Sequence, residues 1–158
     1  MSPHGQSLHY TEESDPLKDM KTLIEDNWIA FKEIGVPQVL VANDPTDPIL
    51  RLELNLGDAI VIKMDGAEQL KQRANFNYYD RVFPVIVEIY TRVSRQRMRD
   101  LGKMIRMLCN DNKHSFPNYQ LIRYRAQDES IEENLNIWRY RFRFNLESNV
   151  VLAESLTD

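Results

Sequence analysis

The residues in this sequence that could perform acid–base or metal chemistry are few and scattered. Three histidines occur, His4, His9 and His114, and none stands at metal-ligand spacing from a cysteine or a carboxylate. The single cysteine, Cys109, ends an apolar helical pattern and has no histidine partner in view. Five glycines are dispersed and form no phosphate-binding loop. These patterns favour core packing for Cys109 and predict no metal, cofactor or nucleophilic site.

Among enzymes, a metal-dependent nuclease fits the charged residues best. Such a site needs two carboxylates that converge on one cation, often beside a lysine. The candidates are Asp58 with Lys63, and Asp80 with Glu88. Neither pair forms a compact carboxylate–x–lysine motif on one strand. We therefore expect a protein that is not an enzyme and has no catalytic residue, and the nuclease remains an alternative.

Arginine is the charged residue type that is concentrated in this chain. One row of arginines lies on a predicted helix and on the residues just before it. A second row alternates along the last predicted strand. The candidate contact residues are Arg92, Arg95, Arg99, Arg106, Arg139, Arg141 and Arg143. Their planar donor forks suit both carboxylates and phosphates. Solvation or pairing with a neighbouring subunit is favoured over contact with nucleic acid.

The aromatic residues of the last strand allow an RNA-binding alternative. Trp138, Tyr140, Phe142 and Phe144 point one way on an alternating strand and could stack bases, as in RNA-recognition domains. However, the sequence lacks the glycine–aromatic consensus of those domains. An aromatic face beside helical stripes is more often part of a core, so we favour core packing.

Charge is distributed unevenly along the chain. Residues 80–126 contain ten basic and four acidic residues, which gives +6 inside a protein of net charge −4 and leaves −10 for the remainder. Such polarity suits a subunit that presents unlike surfaces to its neighbours. The overall acidity argues against a general polyanion binder.

The composition is that of one globular domain. A chain of 158 residues with 42% hydrophobic residues can bury a single core. One cysteine suits a reducing cytoplasm. The apolar runs are too short to cross a bilayer, and the polar start of the chain lacks a signal-peptide pattern, so no membrane association is expected.

The elements that must position the arginines follow from hydrophobic periodicity. Asp15-Pro16 begins a helix at 15–33, and Ser94 caps a central helix at 94–109. Pro84 predicts a sheet edge or a bulge within its strand. The predicted strands are 39–42, 50–56, 59–64, 82–93, 119–126 and 136–146, with a short helical turn at 67–74, a loop at 75–79 and an acidic loop at 127–134.

This order predicts an α+β fold, with a mostly antiparallel β-sheet and with the N-terminal helix and the central helix packed on one face. The domain organisation predicted is a flexible N-terminal arm at 1–14, a single α+β domain at 15–147, and a C-terminal tail at 148–158 that could be a docking segment.

Four segments together resemble a known family. They are NYYDRVFPVIVEIYTRV, the helix RMRDLGKMIRMLCND, the strand NYQLIRYR, and the final strand WRYRFRFNL. Their order and local character are similar to the tail terminator, or tail-completion, proteins of long-tailed phages and related viruses. In that family a strand ending in threonine, followed by a helix with a leucine- and isoleucine-rich stripe, is a usual core.

The resemblance implies a structural role in a virion. Such subunits form a closed ring, typically a homohexamer, that stops the tail tube and joins it to the head connector. The implied partners are copies of the chain itself, the tail tube protein, a head–tail connector or neck protein, and DNA that passes through the lumen without sequence-specific binding. The implied location is the virion tail or neck, and the host cytoplasm during assembly. Another neck or head-completion subunit is the alternative within the same class.

Overall fold

The computed structural model describes residues 15–30, 33–42, 57–72, 78–117, 119–132 and 136–151. The predicted arm at 1–14, the predicted strand at 50–56 and the last residues of the predicted tail lie outside this part of the chain. The described elements are α1 (Pro16–Asn27), β1 (Gln38–Val41), β2 (Asp58–Met64), β3 (Gln69–Gln72), β4 (Tyr78–Thr91), α2 (Arg95–Asp111), β5 (Leu121–Glu132) and β6 (Ile137–Val151). Neither helix is long and apolar enough to cross a membrane.

Both helices pack on one face of a six-stranded sheet, so the predicted α+β class is confirmed. The strand order is β1-β2-β4-β6-β5, and β3 pairs with β4 beyond the end of β2. All pairings are antiparallel except β1 with β2, which is parallel. The core lies between the helices and this face, where Phe142, Phe144 and Ile89 are fully enclosed beneath Leu101 and Ile105 of α2.

Helix α1 is shorter than the predicted 15–33. It begins as predicted, but it ends at Asn27 because Trp28 takes an extended conformation. The Asn27 side chain donates to the Leu23 carbonyl, and the Trp28 indole donates to the Ile34 carbonyl at 3.0 Å. These bonds satisfy the end of the helix while the chain turns back to bury Ile34.

Asp15 is the N-cap of α1, and its loss should destabilise the fold modestly. Its Oδ1 accepts from the backbone amides of Leu17 at 3.0 Å and Lys18 at 3.3 Å. We expect Asp15→Ala to lower the free energy of unfolding by about 1 kcal/mol, measured by urea denaturation. Asp26→Ala is the control, because a carboxylate near a helix C-terminus gives no favourable dipole interaction. Equal losses in the two variants would contradict the capping role.

Strand β4 is central in the sheet, although Pro84 predicts an edge or a bulge. The proline is tolerated because, on one side of β4, no strand pairs with it. Strand β2 ends with Met64 opposite Val85, and β3 begins with Gln69 opposite Val82. The Pro84 carbonyl accepts from the Asp65 amide in this gap, at 2.8 Å. Since the nitrogen and the carbonyl of one residue point to the same side of a strand, the missing donor also faces the gap.

Three segments predicted to be irregular contribute to strands, and these three predictions are wrong. Residues 69–72, placed in a helical turn, form β3, and 78–79, placed in a loop, begin β4. The acidic segment at 127–132, predicted as a loop, continues β5 after a bulge between Tyr124 and Ala126. Its acidic character is compatible with a strand because arginines on both sides of the sheet pair with it, as shown below.

The last strand confirms the predicted alternation and is longer than predicted. Phe142, Phe144 and Leu146 are buried toward the helices, whereas Arg139, Arg141 and Arg143 occupy the other face. Strand β6 runs to Val151 rather than ending at 146, because residues 147–151 continue to pair with the beginning of β4. The predicted tail therefore begins with strand residues.

Candidate functional site

The face of the sheet opposite the helices is organised around one buried carboxylate, Glu88. Its side chain is fully enclosed in the middle of β4, between the buried apolar residues Val87 and Ile89. Lys63 Nζ lies 2.9 Å from Oε1, Arg141 Nε lies 3.0 Å from Oε2, and an Arg139 guanidinium nitrogen lies 3.7 Å away. The Tyr90 hydroxyl donates to Oε1 at 3.2 Å. We call these five residues the Glu88 cluster.

Register explains why these side chains meet. Glu88 is directly opposite Arg141 on β6 and opposite Val61 on β2, so Lys63 and Arg139 lie on diagonal positions of the same face. The side chains of Lys63, Arg139 and Arg141 are themselves about one-fifth exposed, whereas the carboxylate that they surround is fully buried. Burial, and then the charge of Glu88, raise the pKa of Tyr90, so its hydroxyl remains a donor at neutral pH.

Arg143, the third arginine of this face, is also paired within the chain. It lies 3.4 Å from Asp65 and 3.2 Å from Asp128, and Arg125 lies 2.7 Å from Asp65. Two groups of ion pairs on this face, one around Glu88 and one around Asp65 and Arg143, together hold five cations and three carboxylates, a net charge of +2. The cations are Lys63, Arg125, Arg139, Arg141 and Arg143, and the carboxylates are Asp65, Glu88 and Asp128.

The arginines of α2 lie along β5. Arg95 and Arg99 both pair with Glu129, at 3.0 and 2.9 Å. Hydrogen bonds from Arg99 and then Arg95 hold the pKa of the Glu129 carboxyl below its usual value. These exposed pairs contribute little to stability, but they tie the acidic end of β5 to the helix and keep that segment in the sheet.

Arg106 and Arg92 occupy different surroundings from these pairs. The Arg106 guanidinium lies over the Tyr124 ring, 4.9 Å from its centroid, a favourable cation–π geometry. Arg92 is exposed on the connection between β4 and α2. Within the described part of the chain, no carboxylate lies within 4 Å of either guanidinium. Six of the seven predicted contact residues thus lie on two surfaces, on opposite faces of the sheet. Arg92 belongs to neither surface.

An open groove lies between α2 and β5 on the helix side. It has a volume of about 1200 Å³ and a floor that includes Gly102, Tyr140 and Phe144. Five cations and two carboxylates line it. Asp128 also pairs with Arg143 of the opposite face and Arg123 pairs with Glu147, and the lining still holds more cations than carboxylates. We call it the basic groove, and its charged residues are Arg99, Lys103, Arg106, Lys113, Arg123, Asp128 and Glu129.

The nuclease candidates do not converge. Asp58 accepts from Thr91 and pairs with Arg97 of α2, so it lies on the helix side of the sheet, whereas Glu88 lies on the other face. Asp80 and Glu88 are eight residues apart on β4, which separates them by roughly 26 Å. Among the described residues, no group of three or more histidines, cysteines or carboxylates could hold a metal ion.

The aromatic face of β6 is not available as a base-stacking platform. Phe142 and Phe144 are enclosed under α2, and Tyr140 stacks on Phe142 with centroids 4.5 Å apart. His114 is exposed after α2, and its Nδ1 lies 3.4 Å from the Gln120 carbonyl. His4 and His9 fall outside the described residues.

Cys109 is buried in the core, as predicted, and should be unreactive until the protein unfolds. Burial raises the pKa of its thiol from 9.0 to about 12. As pH rises, the unfolded chain loses this proton first, so the stability contributed by the protonated thiol is present below pH 9 and is lost above it. We expect wild type to lose up to about 1.4 kcal/mol per pH unit relative to Cys109→Ala above pH 9, measured by urea denaturation. Parallel pH profiles would contradict this assignment.

Sequence reasoning treated Glu88 only as a possible metal ligand and did not identify its pairing with the arginines. A usable signal was present, since Glu88 is a lone carboxylate in an apolar strand and an alternating arginine strand follows later in the chain. The basic groove had no comparable signal, because its two walls are separated in sequence and meet only through the pairing of β5 with β6.

The comparisons with known proteins give a fold relationship. The sequence matches no protein-family model, and no curated protein is significantly similar to it. The structure is similar to one chain of the virion of a native gene transfer agent particle, with a TM-score of 0.51 over 90% of this chain and 91% of that chain. Sequence identity is 10%. The two chains therefore share a fold along nearly their whole lengths, and at this identity the likeness establishes the fold alone.

Proposed function

We propose that this chain is a structural subunit of a phage-like virion. The observation that carries the proposal is the fold match to a chain of a gene transfer agent virion, which spans nine-tenths of both chains. The charge pattern supports it, because a subunit held between unlike neighbours needs chemically unlike surfaces. The Glu88 cluster fits this role as a positively charged group of paired side chains whose three cations remain about one-fifth exposed.

Within the virion, the role we propose is that of a tail terminator. Copies of the chain form a ring, with six as the expected number, that caps the tail tube and joins it to the head connector. DNA passes through the lumen without base-specific contacts. The arginine-rich face with a net charge of +2 suits either the lumen or an acidic neighbouring surface, since guanidinium forks bind phosphates and carboxylates equally. A head-completion or neck subunit is the second candidate, because the same fold likeness supports any position in the neck.

Imaging of particles that contain the protein tests this proposal. Cryo-electron microscopy of particles made with and without the gene is expected to show a ring at the head-proximal end of the tail tube only when the gene is present. Without it, tubes of unregulated length or tails unattached to heads are expected. Density at the neck on the head side would favour the connector role. Normal particles in the deletion, with no density due to the protein, would overturn the virion proposal.

A further inference from the structure

Exposed acidic residues lie close in sequence to an exposed isoleucine at the end of α1. Glu25, Asp26 and Glu33 are exposed, and the side chain of Ile29 between them in sequence is 72% exposed. No described cation lies within 4 Å of the three carboxylates. We call Glu25, Asp26, Ile29 and Glu33 the acidic knob. Residues 15–33 as a whole contain five carboxylates and three lysines, a net charge of −2. An exposed isoleucine near several carboxylates is a patch that a partner can cover.

The basic groove has the complementary composition. Met107 and Tyr124 remain 49% and 41% exposed there. Arg106 and Lys113 stand on its rim, and no described carboxylate lies within 4 Å of either cation. The groove thus combines positive charge with two partly exposed side chains, Met107 and the Tyr124 ring beside Arg106. The knob combines an exposed apolar side chain with negative charge. Such pairing steers association and fixes its orientation.

The two surfaces lie at opposite edges of the sheet. Helix α1 packs over β1 and β2, whereas the groove lies against β5, and the strand order β1-β2-β4-β6-β5 puts three strand steps between β2 and β5. One copy cannot bring its own knob to its own groove across the packed core. A contact between unlike patches on two copies is heterologous, and a heterologous contact generates a ring when the rotation closes.

We propose that the acidic knob of one copy docks into the basic groove of a second copy, so that Ile29 contacts Met107 and Tyr124 while Glu25, Asp26 or Glu33 pairs with Arg106 and Lys113. The inference deepens the proposed function by naming the subunit contact. Docking itself depends on this geometry, and only closure into a ring rests on the proposed function.

Mixing two complementary variants of the full chain tests the contact. Ile29→Asp replaces the apolar side chain of the knob with a charged one, and Arg106→Glu reverses one charge of the groove. Each variant alone is expected to bind itself at least tenfold more weakly than wild type in native mass spectrometry. A mixture still contains one intact groove and one intact knob. It is therefore expected to give a 1:1 heterodimer and nothing larger, a result that a contact between like patches cannot produce.

Matched controls exist outside the knob and the groove. Val93 is 63% exposed on the connection between β4 and α2, and Lys18 is exposed in the first turn of α1. Val93→Asp and Lys18→Glu are expected to assemble as wild type does, and circular dichroism checks that every variant folds. A wild-type chain that stays monomeric at all concentrations, or Ile29→Asp and Arg106→Glu chains that assemble normally, would overturn the inference.

The outcomes also separate this inference from the proposed function. A neck ring in particles built from Ile29→Asp and Arg106→Glu chains would leave the virion role standing and reject the contact. Heterodimer formation by a protein that is missing from particles would support the contact and reject the role.

Discussion

Glu88→Ala is expected to lower the free energy of unfolding by about 2 to 4 kcal/mol. The carboxylate is fully buried and is the common partner of Lys63, Arg139 and Arg141. Its removal leaves three cations and the Tyr90 hydroxyl around an empty site, and breaking a buried ion pair at one partner costs about 3 to 5 kcal/mol. The cations are about one-fifth exposed and can reach water, which reduces the expected loss.

Urea denaturation of matched variants measures this effect. Glu147→Ala is the control, because its pair with Arg123 lies on the surface and such pairs contribute about 0 to 1 kcal/mol. Glu88→Gln should fall between Glu88→Ala and wild type, since it keeps the volume and one acceptor but loses the charge. A loss below about 0.5 kcal/mol for Glu88→Ala would show that the cluster is solvated rather than buried.

The same cluster allows a converse test of what the charges are for. Replacing buried ionic groups with apolar residues of similar volume is often neutral or stabilising. Glu88→Leu combined with Lys63→Met and Arg141→Met should therefore recover much of the stability lost in Glu88→Ala. If this triple variant is stable yet fails to assemble into particles, the positive face is retained for a contact and not for the fold.

Gly102→Leu is expected to destabilise the protein by about 3 kcal/mol, although it replaces a poor helix former with a good one. A Cβ at position 102 would lie 2.8 and 2.9 Å from two Tyr140 ring carbons and 3.0 Å from the Phe142 ring. These distances are shorter than normal van der Waals contact, so α2 would have to move away from β6. Overpacking of this kind costs about 1 to 3 kcal/mol and sometimes more.

A double-mutant cycle with Tyr140 tests whether the ring is the cause. Gly102→Ala should lose less than Gly102→Leu, because a gain in helix propensity of about 1 kcal/mol offsets part of the overlap. In a Tyr140→Ala background, Gly102→Ala should be neutral or stabilising, since the ring that overlaps the added methyl group is absent. An equal penalty in both backgrounds would place the strain elsewhere. Met107→Leu, at an exposed position on the same helix, is expected to be neutral.

The fold class was predictable because local patterns and long-range packing agree over most of the chain. Asp15-Pro16 and Ser94 cap the two helices as expected, and the alternation on β6 sends its aromatic residues into the core. A one-residue slip would bury three arginines, so that register follows from the sequence. The resemblance to virus tail proteins also predicted a fold found in a virion chain, while the terminator role itself stays a prediction.

The wrong predictions share one physical cause, which is that a distant partner changed what a local segment could do. Residues 127–132 have the composition of a loop, but Glu129 pairs with two arginines of α2 and Asp128 with Arg143 of β6. Residues 69–72 become a strand because the part of β4 that precedes Pro84 is not paired with β2. Its backbone groups on that side form hydrogen bonds with residues 69–72 instead. Propensity within a short window cannot register such pairing.

The sequence by itself determined where the two helices begin, the orientation of β6 and the presence of an arginine-rich region. Each of these follows from a periodicity or a cap within a few neighbouring residues. Only the tertiary structure decided what the arginines contact, because their partners lie on other elements of the chain. Arg99 is 30 residues from Glu129, and Arg141 is 53 residues from Glu88. It likewise decided that the acidic and basic surfaces lie at opposite edges of one sheet, since that separation is set by strand order, which no local pattern contains.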